Sequence, residues 1–254
     1  MPNPRYRLLN IAMLIVVLIV NALADRLPIG GVTTGEVSAQ FPTLVTPASY
    51  AFIIWTLIYA LLIGFAIYQM TPIGASKPTV QAIGPWFAVT CALNVAWLLL
   101  WHYYKISSSA YAMLALLLSL VYIYTRTRLA ASEPTFGERL FVWLPFSLYF
   151  GWITIAAIAN LSVVLMVHGS GWNSLSLSPA AWAIGFILIA TILGCLIGWL
   201  FRDSAYPAVI AWGLIAIAVK QHATFTVAIV AIAGAIVVLM LSFGILARRI
   251  RKRA

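Results

Sequence analysis

The sequence predicts an all-α membrane protein, a polytopic bundle of about eight transmembrane helices. The first reason is composition: 64% of the residues are hydrophobic, 8% are charged, and the mean hydropathy is +1.04. Soluble globular domains are nearer half apolar and a quarter charged. The second reason is that the apolar residues gather in runs of roughly 20, the length that crosses a bilayer. The third is that the basic residues lie at the ends of these runs.

Eight apolar runs are separated by short segments rich in proline, glycine and serine, which are typical of turns. The shortest connection places Pro207 near the start of the seventh run, where its missing N–H costs a helix little. The predicted spans are residues 8–24, 50–70, 84–103, 110–125, 140–167, 180–201, 206–219 and 224–247.

The distribution of basic residues predicts that both termini lie in the cytoplasm. With eight spans and a cytoplasmic N-terminus, twelve of the fifteen Lys and Arg residues fall on the inner side. This agrees with the excess of Lys and Arg found in cytoplasmic loops. The outer side keeps Arg26, Lys105 and Lys220. The basic run at residues 248–253 is then predicted to contact anionic lipid, whereas no basic patch of the nucleic-acid-binding kind is found.

The first run has an alternative interpretation as a signal peptide. Arg5 and Arg7 precede it, and Ala22-Leu23-Ala24 resembles a small-residue cleavage site. The run is long for the apolar part of a signal peptide, so we favour a helix that is retained.

The connection at residues 25–49 is too long for a simple turn and holds several prolines and glycines. Segments of this length and composition in a membrane protein are commonly folded. We therefore expect it to form a cap on the outer face.

The acidic residues are few and lie outside the predicted apolar runs or at their ends, so we expect no buried carboxylate. Ion-coupled carriers usually place an ionisable group at mid-membrane, and acid–base hydrolysis needs carboxylate pairs. Both functions are therefore disfavoured. The five residues are Asp25, Glu36, Glu133, Glu138 and Asp203.

Three predicted helices each carry aromatic rings or amides along one face, at helical spacing. Packing and interfacial belts are the ordinary explanation for such residues. However, interfacial belts lie at the ends of membrane spans, whereas Trp55, Trp97 and Trp152 lie several residues inside theirs. Flat rings with a few amide donors suit a large, planar, mostly apolar ligand. The residues are Phe52, Trp55 and Tyr59; Asn94, Trp97 and Trp101; and Tyr149, Trp152, Ala156 and Asn160.

These motifs resemble those of the TspO/MBR family, the tryptophan-rich sensory proteins related to the mitochondrial translocator protein. The family pattern F…W-T-x-x-Y, preceded by prolines, is matched by Phe52, Trp55, Thr56 and Tyr59, with Pro42 and Pro47 before them. The pattern L-N-x-x-W is matched from Leu93 to Trp97, and Y-x-x-W-x-x-x-A-x-x-x-N from Tyr149 to Asn160. Two departures are Leu44 in place of the usual loop tryptophan and a proline one turn early, at Pro145.

The resemblance implies a five-helix domain at residues 1–167, followed by an additional three-helix region at residues 168–254. It also implies a ligand pocket among the first five helices, beneath the 25–49 connection, for a porphyrin or another tetrapyrrole. The implied ligand-binding residues are Pro47, Phe52, Trp55, Tyr59, Asn94, Trp97, Tyr149, Trp152, Ala156 and Asn160.

The function that follows is a non-enzymatic membrane receptor or sensor for a planar apolar ligand of the tetrapyrrole type. Two alternatives stay open: a transporter or exporter of such a ligand, and an enzyme that degrades porphyrin in light. No catalytic residues, metal ligands or required cofactor are predicted, and a porphyrin or haem-like molecule is expected as ligand. The resemblance further implies a multi-pass protein of a prokaryotic plasma membrane, with a homodimer as one assembly.

Overall fold

The eight apolar segments predicted from the sequence all form helices in the computed structural model, which describes residues 4–26, 31–168 and 177–251. The predicted all-helical bundle is therefore confirmed. The helices of the described residues are α1 (Pro4–Arg26), α2 (Thr34–Gln40), α3 (Ile54–Tyr68), α4 (Pro72–Ala75), α5 (Pro78–Ile83), α6 (Trp86–His102), α7 (Ile106–Leu129), α8 (Phe136–Glu138), α9 (Leu144–Val167), α10 (Pro179–Phe201), α11 (Ala205–Lys220) and α12 (Phe225–Arg251).

Six helical segments of the described chain are long and apolar enough to cross a membrane, and two predicted spans, α6 and α11, are shorter. With 17 and 16 residues, these two reach about 24–26 Å at 1.5 Å per residue, less than the roughly 30 Å of a bilayer core. Both carry many buried residues along their length. A helix surrounded by protein does not have to match the bilayer thickness, because its ends need not face lipid.

The chain divides into two compact units. The first consists of Met1–Val37 and Ile53–Phe150, and the second of Ser38–Phe52 and Gly151–Ala254. In the first unit α6 packs against α1 and α7; in the second, α11 packs against α10 and α12. Each unit therefore has a short, buried helix at its centre. The division at residue 167 that the family resemblance implies stays a prediction.

The core of the first unit contains a cluster of three phenylalanines from three helices. The ring of Phe65 meets the rings of Phe87 and Phe146 edge to face, each at a centroid distance of 5.2 Å, and the latter two rings are 5.7 Å apart. Edge-to-face pairs are a favoured geometry for aromatic rings. These contacts hold α3, α6 and the start of α9 together.

A π-helical turn, Arg139–Trp143, joins α8 to α9. Its cause is Pro145, which has no N–H to donate to the carbonyl of Phe141 and so cannot continue an α-helical ladder. The N–H of Leu144 donates instead to the carbonyl of Arg139, five residues earlier. The fifth predicted span is thus confirmed, with an additional turn at its start.

In the second unit, α9 and α11 cross at two glycines that each receive a side chain from the other helix. A Cβ added at Gly151 would lie 2.9 Å from Cβ of Val209, and a Cβ added at Gly213 would lie 2.7 Å from Cγ1 of Ile155. Real Cβ atoms essentially never approach other heavy atoms this closely. Close approach of helix backbones at small residues is a common way for membrane helices to pack.

The expectation that no carboxylate is buried is wrong for Glu138 and Asp203. Glu138 lies in a capping box, in which its carboxylate accepts hydrogen bonds from the N–H and the hydroxyl of Thr135. Its other oxygen accepts from the hydroxyl of Thr79, at 2.8 Å. Asp203 accepts from the N–H of Ala205. Both stand at helix ends, as predicted, and hydrogen bonds from the helix termini compensate for their burial.

The connection at residues 25–49 is folded in its described part, residues 31–49, because it contains α2. The N-terminus of this helix is closed by Thr33 and Glu36, whose N–H groups bond each other's side chains. The hydrogen bond from the N–H of Thr33 lowers the pKa of the Glu36 carboxyl. The placement of this connection on the outer face stays a prediction.

Candidate functional site

The ten predicted ligand-binding residues are divided equally between the two units. The first unit holds Trp55, Tyr59, Asn94, Trp97 and Tyr149. The second unit holds Pro47, Phe52, Trp152, Ala156 and Asn160.

Trp55 of the first unit lies between two tyrosines. One turn further along α3, Tyr59 stacks on its ring with a centroid distance of 5.1 Å and an angle of 17°. Tyr149 of α9 meets the same indole edge to face, at 5.6 Å and 68°. Trp55 and Tyr59 are only half-buried, whereas Tyr149 is buried. The structure therefore brings these three predicted residues together as one aromatic group with a partly exposed flat surface.

A chain of side-chain hydrogen bonds positions this aromatic group. Asn21 of α1 donates through Nδ2 to Oδ1 of Asn94, at 3.0 Å. Asn94 of α6, which has 0% exposure, donates through its own Nδ2 to the Tyr149 hydroxyl, also at 3.0 Å. Since buried amides are costly unless they are hydrogen-bonded, this chain links α1, α6 and α9 and fixes the Tyr149 ring beside Trp55.

Asn21 was not among the residues predicted from the sequence. Its signal was available, because an asparagine inside an apolar helix usually bonds to a neighbouring helix. It also donates to the carbonyl of Val17, one turn earlier in α1, which orients its amide towards α6.

Trp97 lies one turn after Asn94 on the same face of α6. It is 6% exposed, and its ring is nearly parallel to that of Trp101, with centroids 6.3 Å apart and an angle of 20°. Its indole Nε1 is buried and has no hydrogen-bond partner among the described residues. A buried N–H without an acceptor is rare and costs about 1–3 kcal/mol. Trp97 therefore offers a hydrogen-bond donor that a bound molecule could use.

The predicted residues of the second unit include one aromatic pair. Phe52 meets Trp152 edge to face, with centroids 5.8 Å apart and an angle of 81°. Trp152 and Asn160 are buried on α9, Pro47 is buried before the 3₁₀ turn at Ser49–Ile53, and Ala156 is half-buried. Phe52 and Trp152 therefore contact each other, and their role in ligand binding stays a prediction.

The segment at residues 43–52 is attached to α11, a contact that the sequence did not predict. Trp212 donates through Nε1 to the carbonyl of Ala51, at 3.1 Å, and its ring meets Tyr50 edge to face. The N–H of Ala48 donates to the carbonyl of Ala216, at 3.0 Å. The segment that carries Pro47 and Phe52 is thus held by a helix outside the five-helix pattern.

Hydrogen bonds of polar side chains also hold the segment at residues 43–52 near Thr43. The hydroxyls of Thr43 and Ser162 share a hydrogen bond of 2.8 Å, and Thr43 also bonds the Thr46 hydroxyl. Gln221 donates through Nε2 to the carbonyl of Thr43. The segment therefore has side-chain contacts to both α9 and the end of α11.

Replacement of Trp212 by Phe is expected to loosen the segment at residues 43–52. The variant keeps an aromatic ring but loses the hydrogen bond to Ala51, which is worth about 0.5–1.5 kcal/mol. Amide hydrogen exchange over residues 43–52 should become faster, with little change in α12. Trp199→Phe is the matched control because Trp199 is 69% exposed. Equal exchange in both variants would contradict the attachment.

The sequence matches the family described as TSPO-like protein over residues 7–244. The matched range includes α10, α11 and most of α12, beyond the region that carries the motifs. No curated protein and no solved structure matches the chain.

Proposed function

The chain belongs to the family of TSPO-like proteins, and from this membership we propose that it is a membrane receptor or sensor that binds a planar apolar ligand of the porphyrin type. Membership and the apolar helices make it a multi-pass membrane protein. The porphyrin type of the ligand is our proposal.

The observation that carries the proposal is the buried indole N–H of Trp97, which has no acceptor within the described part of the chain. A ligand with a peripheral carboxylate or carbonyl would supply that acceptor. Porphyrins of biological origin combine such groups with a large flat ring. Because a hydrogen bond to a charged acceptor is worth about 1.5–3 kcal/mol, one carboxylate at Trp97 would contribute appreciably to affinity.

The stacked pair of Trp55 and Tyr59 supports the flat, apolar character of the ligand. Their rings lie 17° from parallel and are half-buried, so part of this aromatic pair stays available for contact with a ligand. Stacked and edge-to-face arrangements add about 0.5–1.5 kcal/mol beyond the burial of apolar area. The predicted residues of the second unit, from Pro47 to Asn160, stay proposals based on the family resemblance.

The plasma membrane of a prokaryotic cell is the proposed location, with both termini in the cytoplasm. The cytoplasmic position of both termini is supported by the distribution of Lys and Arg, which favours the same side for both ends. Contact of anionic lipid with the basic C-terminal run is also proposed; Lys252 and Arg253 of that run lie outside the described residues.

The proposal is tested by titration of the purified full chain with protoporphyrin, followed through the porphyrin absorbance and through quenching of tryptophan fluorescence. Trp97→Phe keeps an aromatic ring and removes the donor. We therefore expect the dissociation constant to rise roughly tenfold to a hundredfold, as the loss of a hydrogen bond of about 1.5–3 kcal/mol to a charged acceptor would cause.

The control for this titration is Trp199→Phe, which removes an indole that is exposed on α10. Its affinity should equal that of the unmodified chain. If the unmodified chain does not bind protoporphyrin, the proposed function is wrong. If it binds and Trp97→Phe binds equally well, the ligand does not use Trp97, and the corresponding variant Trp152→Phe then tests the second unit. Flux of protoporphyrin through proteoliposomes would favour a transporter over a receptor.

A further inference from the structure

A network of buried polar groups lies near the start of α1, on the side predicted to face the cytoplasm. Asn10, which is buried, donates through Nδ2 to Oε1 of Gln69, at 3.2 Å, and to the carbonyl of Gly84, at 3.1 Å. The N–H of Ala88 donates to Oδ1 of Asn10. Arg7, one turn earlier in α1, donates through Nη1 to the carbonyl of Gln69. All these residues belong to the first unit.

The backbone partners fix the orientation of both amides. The N–H of Ala88 can only donate, so the atom of Asn10 beside it must be the oxygen. The other end of the Asn10 amide is then the NH2 group, which agrees with its bond to the carbonyl of Gly84. This NH2 also faces Gln69, whose contacting atom must be Oε1. The remaining Gln69 atom, Nε2, is therefore a donor.

Two donors of this network have no acceptor among the residues that the structure describes. Gln69 is 1% exposed, yet its Nε2 is buried without a hydrogen-bond partner among the described residues, and the same holds for Nε of Arg7. Buried donors are normally paired, and an unpaired donor carries a desolvation cost. Both groups are donors and one belongs to a guanidinium, so an anion with oxygen acceptors would satisfy them together.

The charge of Arg7 is also not compensated within the described part of the chain, where no carboxylate forms an ion pair with it. Guanidinium groups are well suited to phosphate because their donors form a planar fork. Apolar residues that are exposed flank the network on both sides: Tyr6 and Leu8 beside Arg7, and Met70 beside Gln69. Exposed apolar side chains at this position suit contact with acyl chains.

We propose that Arg7 and Gln69 bind the phosphate group of an anionic phospholipid at the predicted cytoplasmic end of α1 and α3. Nε of Arg7 and Nε2 of Gln69 donate to the phosphate oxygens, and the acyl chains lie along the exposed apolar residues beside them. Arg7 and Gln69 are not among the residues proposed to bind porphyrin, and this proposal does not rest on porphyrin binding.

The test compares lipid binding to the full chain by native mass spectrometry, with phosphatidylglycerol and phosphatidylcholine as probes. Both lipids carry a phosphate, but phosphatidylcholine also carries a choline cation that Arg7 repels. We therefore expect phosphatidylglycerol to bind about tenfold more tightly. Arg7→Gln should remove this preference. Gln69→Glu should remove it too, while the chain stays folded, because the new carboxylate still accepts from Asn10 and can pair with Arg7.

Arg126→Gln is the matched control, since it removes one positive charge from an exposed arginine near the end of α7. It should retain the preference for phosphatidylglycerol. Added inorganic phosphate shows whether the bound anion is a lipid or free phosphate. If phosphatidylglycerol stays bound, the phospholipid proposal is supported. If phosphate displaces it and binds instead, the same donors bind free phosphate and the phospholipid proposal is wrong. Equal binding of the two lipids by the unmodified chain, or equal losses in Arg126→Gln and Arg7→Gln, would also overturn the proposal.

Discussion

Replacement of Gly213 by Ala is expected to destabilise the second unit by about 1–3 kcal/mol, the usual cost of inserting a methyl group into a packed interior. The new Cβ would lie 2.7 Å from Cγ1 and 2.9 Å from Cγ2 of Ile155. Ile155 is β-branched and fully buried, so it has few rotamers into which it can move. Either α9 or α11 must shift. Unfolding of the full chain by SDS in detergent micelles measures the change.

Gly185→Ala is the matched control in the same unit. A Cβ at Gly185 of α10 meets no atom within 4 Å. This variant should be neutral or slightly stabilising, since alanine is a better helix former than glycine by up to about 1 kcal/mol.

A second variant tests the contact itself. Ile155→Ala alone should cost about 2–5 kcal/mol, as a large-to-small substitution in a core does, but the double variant with Gly213→Ala should cost less than the sum of the two. A coupling of about 0.5–3 kcal/mol is expected for residues in contact. Additive effects would contradict the crossing of α9 and α11 at this point.

The second large effect is expected for Asn94→Leu, with a loss of roughly 1–3 kcal/mol. Two interhelical hydrogen bonds disappear, and such bonds in a membrane protein are worth about 0.6 kcal/mol on average and up to about 1.7. The Tyr149 hydroxyl also remains buried without its donor from Asn94. The same SDS unfolding measures the loss, and protoporphyrin affinity should fall as well, because Tyr149 is no longer fixed against Trp55.

Tyr149→Phe supplies the comparison for Asn94→Leu. The single variant leaves the Asn94 amide without its acceptor, whereas the double variant removes both partners. Replacing both partners by apolar groups of similar shape costs less than leaving one alone. The double variant should therefore be more stable than the sum of the single effects predicts. If Asn94→Leu is as stable as the unmodified protein, the hydrogen bonds from Asn21 through Asn94 to Tyr149 do not stabilise the packing of α1, α6 and α9.

The helices themselves could be predicted because each is an apolar run ended by turn residues, and the structure has all eight. The family could also be predicted from ring and amide motifs, although these motifs end at Asn160 while the family match continues to residue 244. The last three helices have an apolar pattern but none of the family motifs. The resemblance that the motifs predict therefore did not extend to them. α6 and α11 are shorter than a bilayer-spanning helix and are largely buried in protein. An apolar run in the sequence does not show whether its helix faces lipid or protein.

Burial of Glu138 was missed although its signal was present. Thr135 and Glu138 have the spacing of a capping box, in which the acidic side chain turns back onto the helix N-terminus. By contrast, the attachment of Trp212 to Ala51 joins residues separated by 161 positions. No local pattern encodes such a contact, since only tertiary packing brings the two groups together. The donors of Arg7 and Gln69 were missed for the same reason.

Trp97→Phe combined with two porphyrins tests most directly whether the Trp97 indole donates to the ligand. Protoporphyrin carries two carboxylates, whereas etioporphyrin has a flat ring of the same kind with alkyl groups only. Dissociation constants of both porphyrins are measured for the unmodified chain and for Trp97→Phe, from the porphyrin absorbance in detergent. We expect both porphyrins to bind, and we expect the variant to lose roughly tenfold to a hundredfold in affinity for protoporphyrin and little for etioporphyrin. Equal losses for the two porphyrins, or no loss for either, would contradict a ligand acceptor at the Trp97 indole.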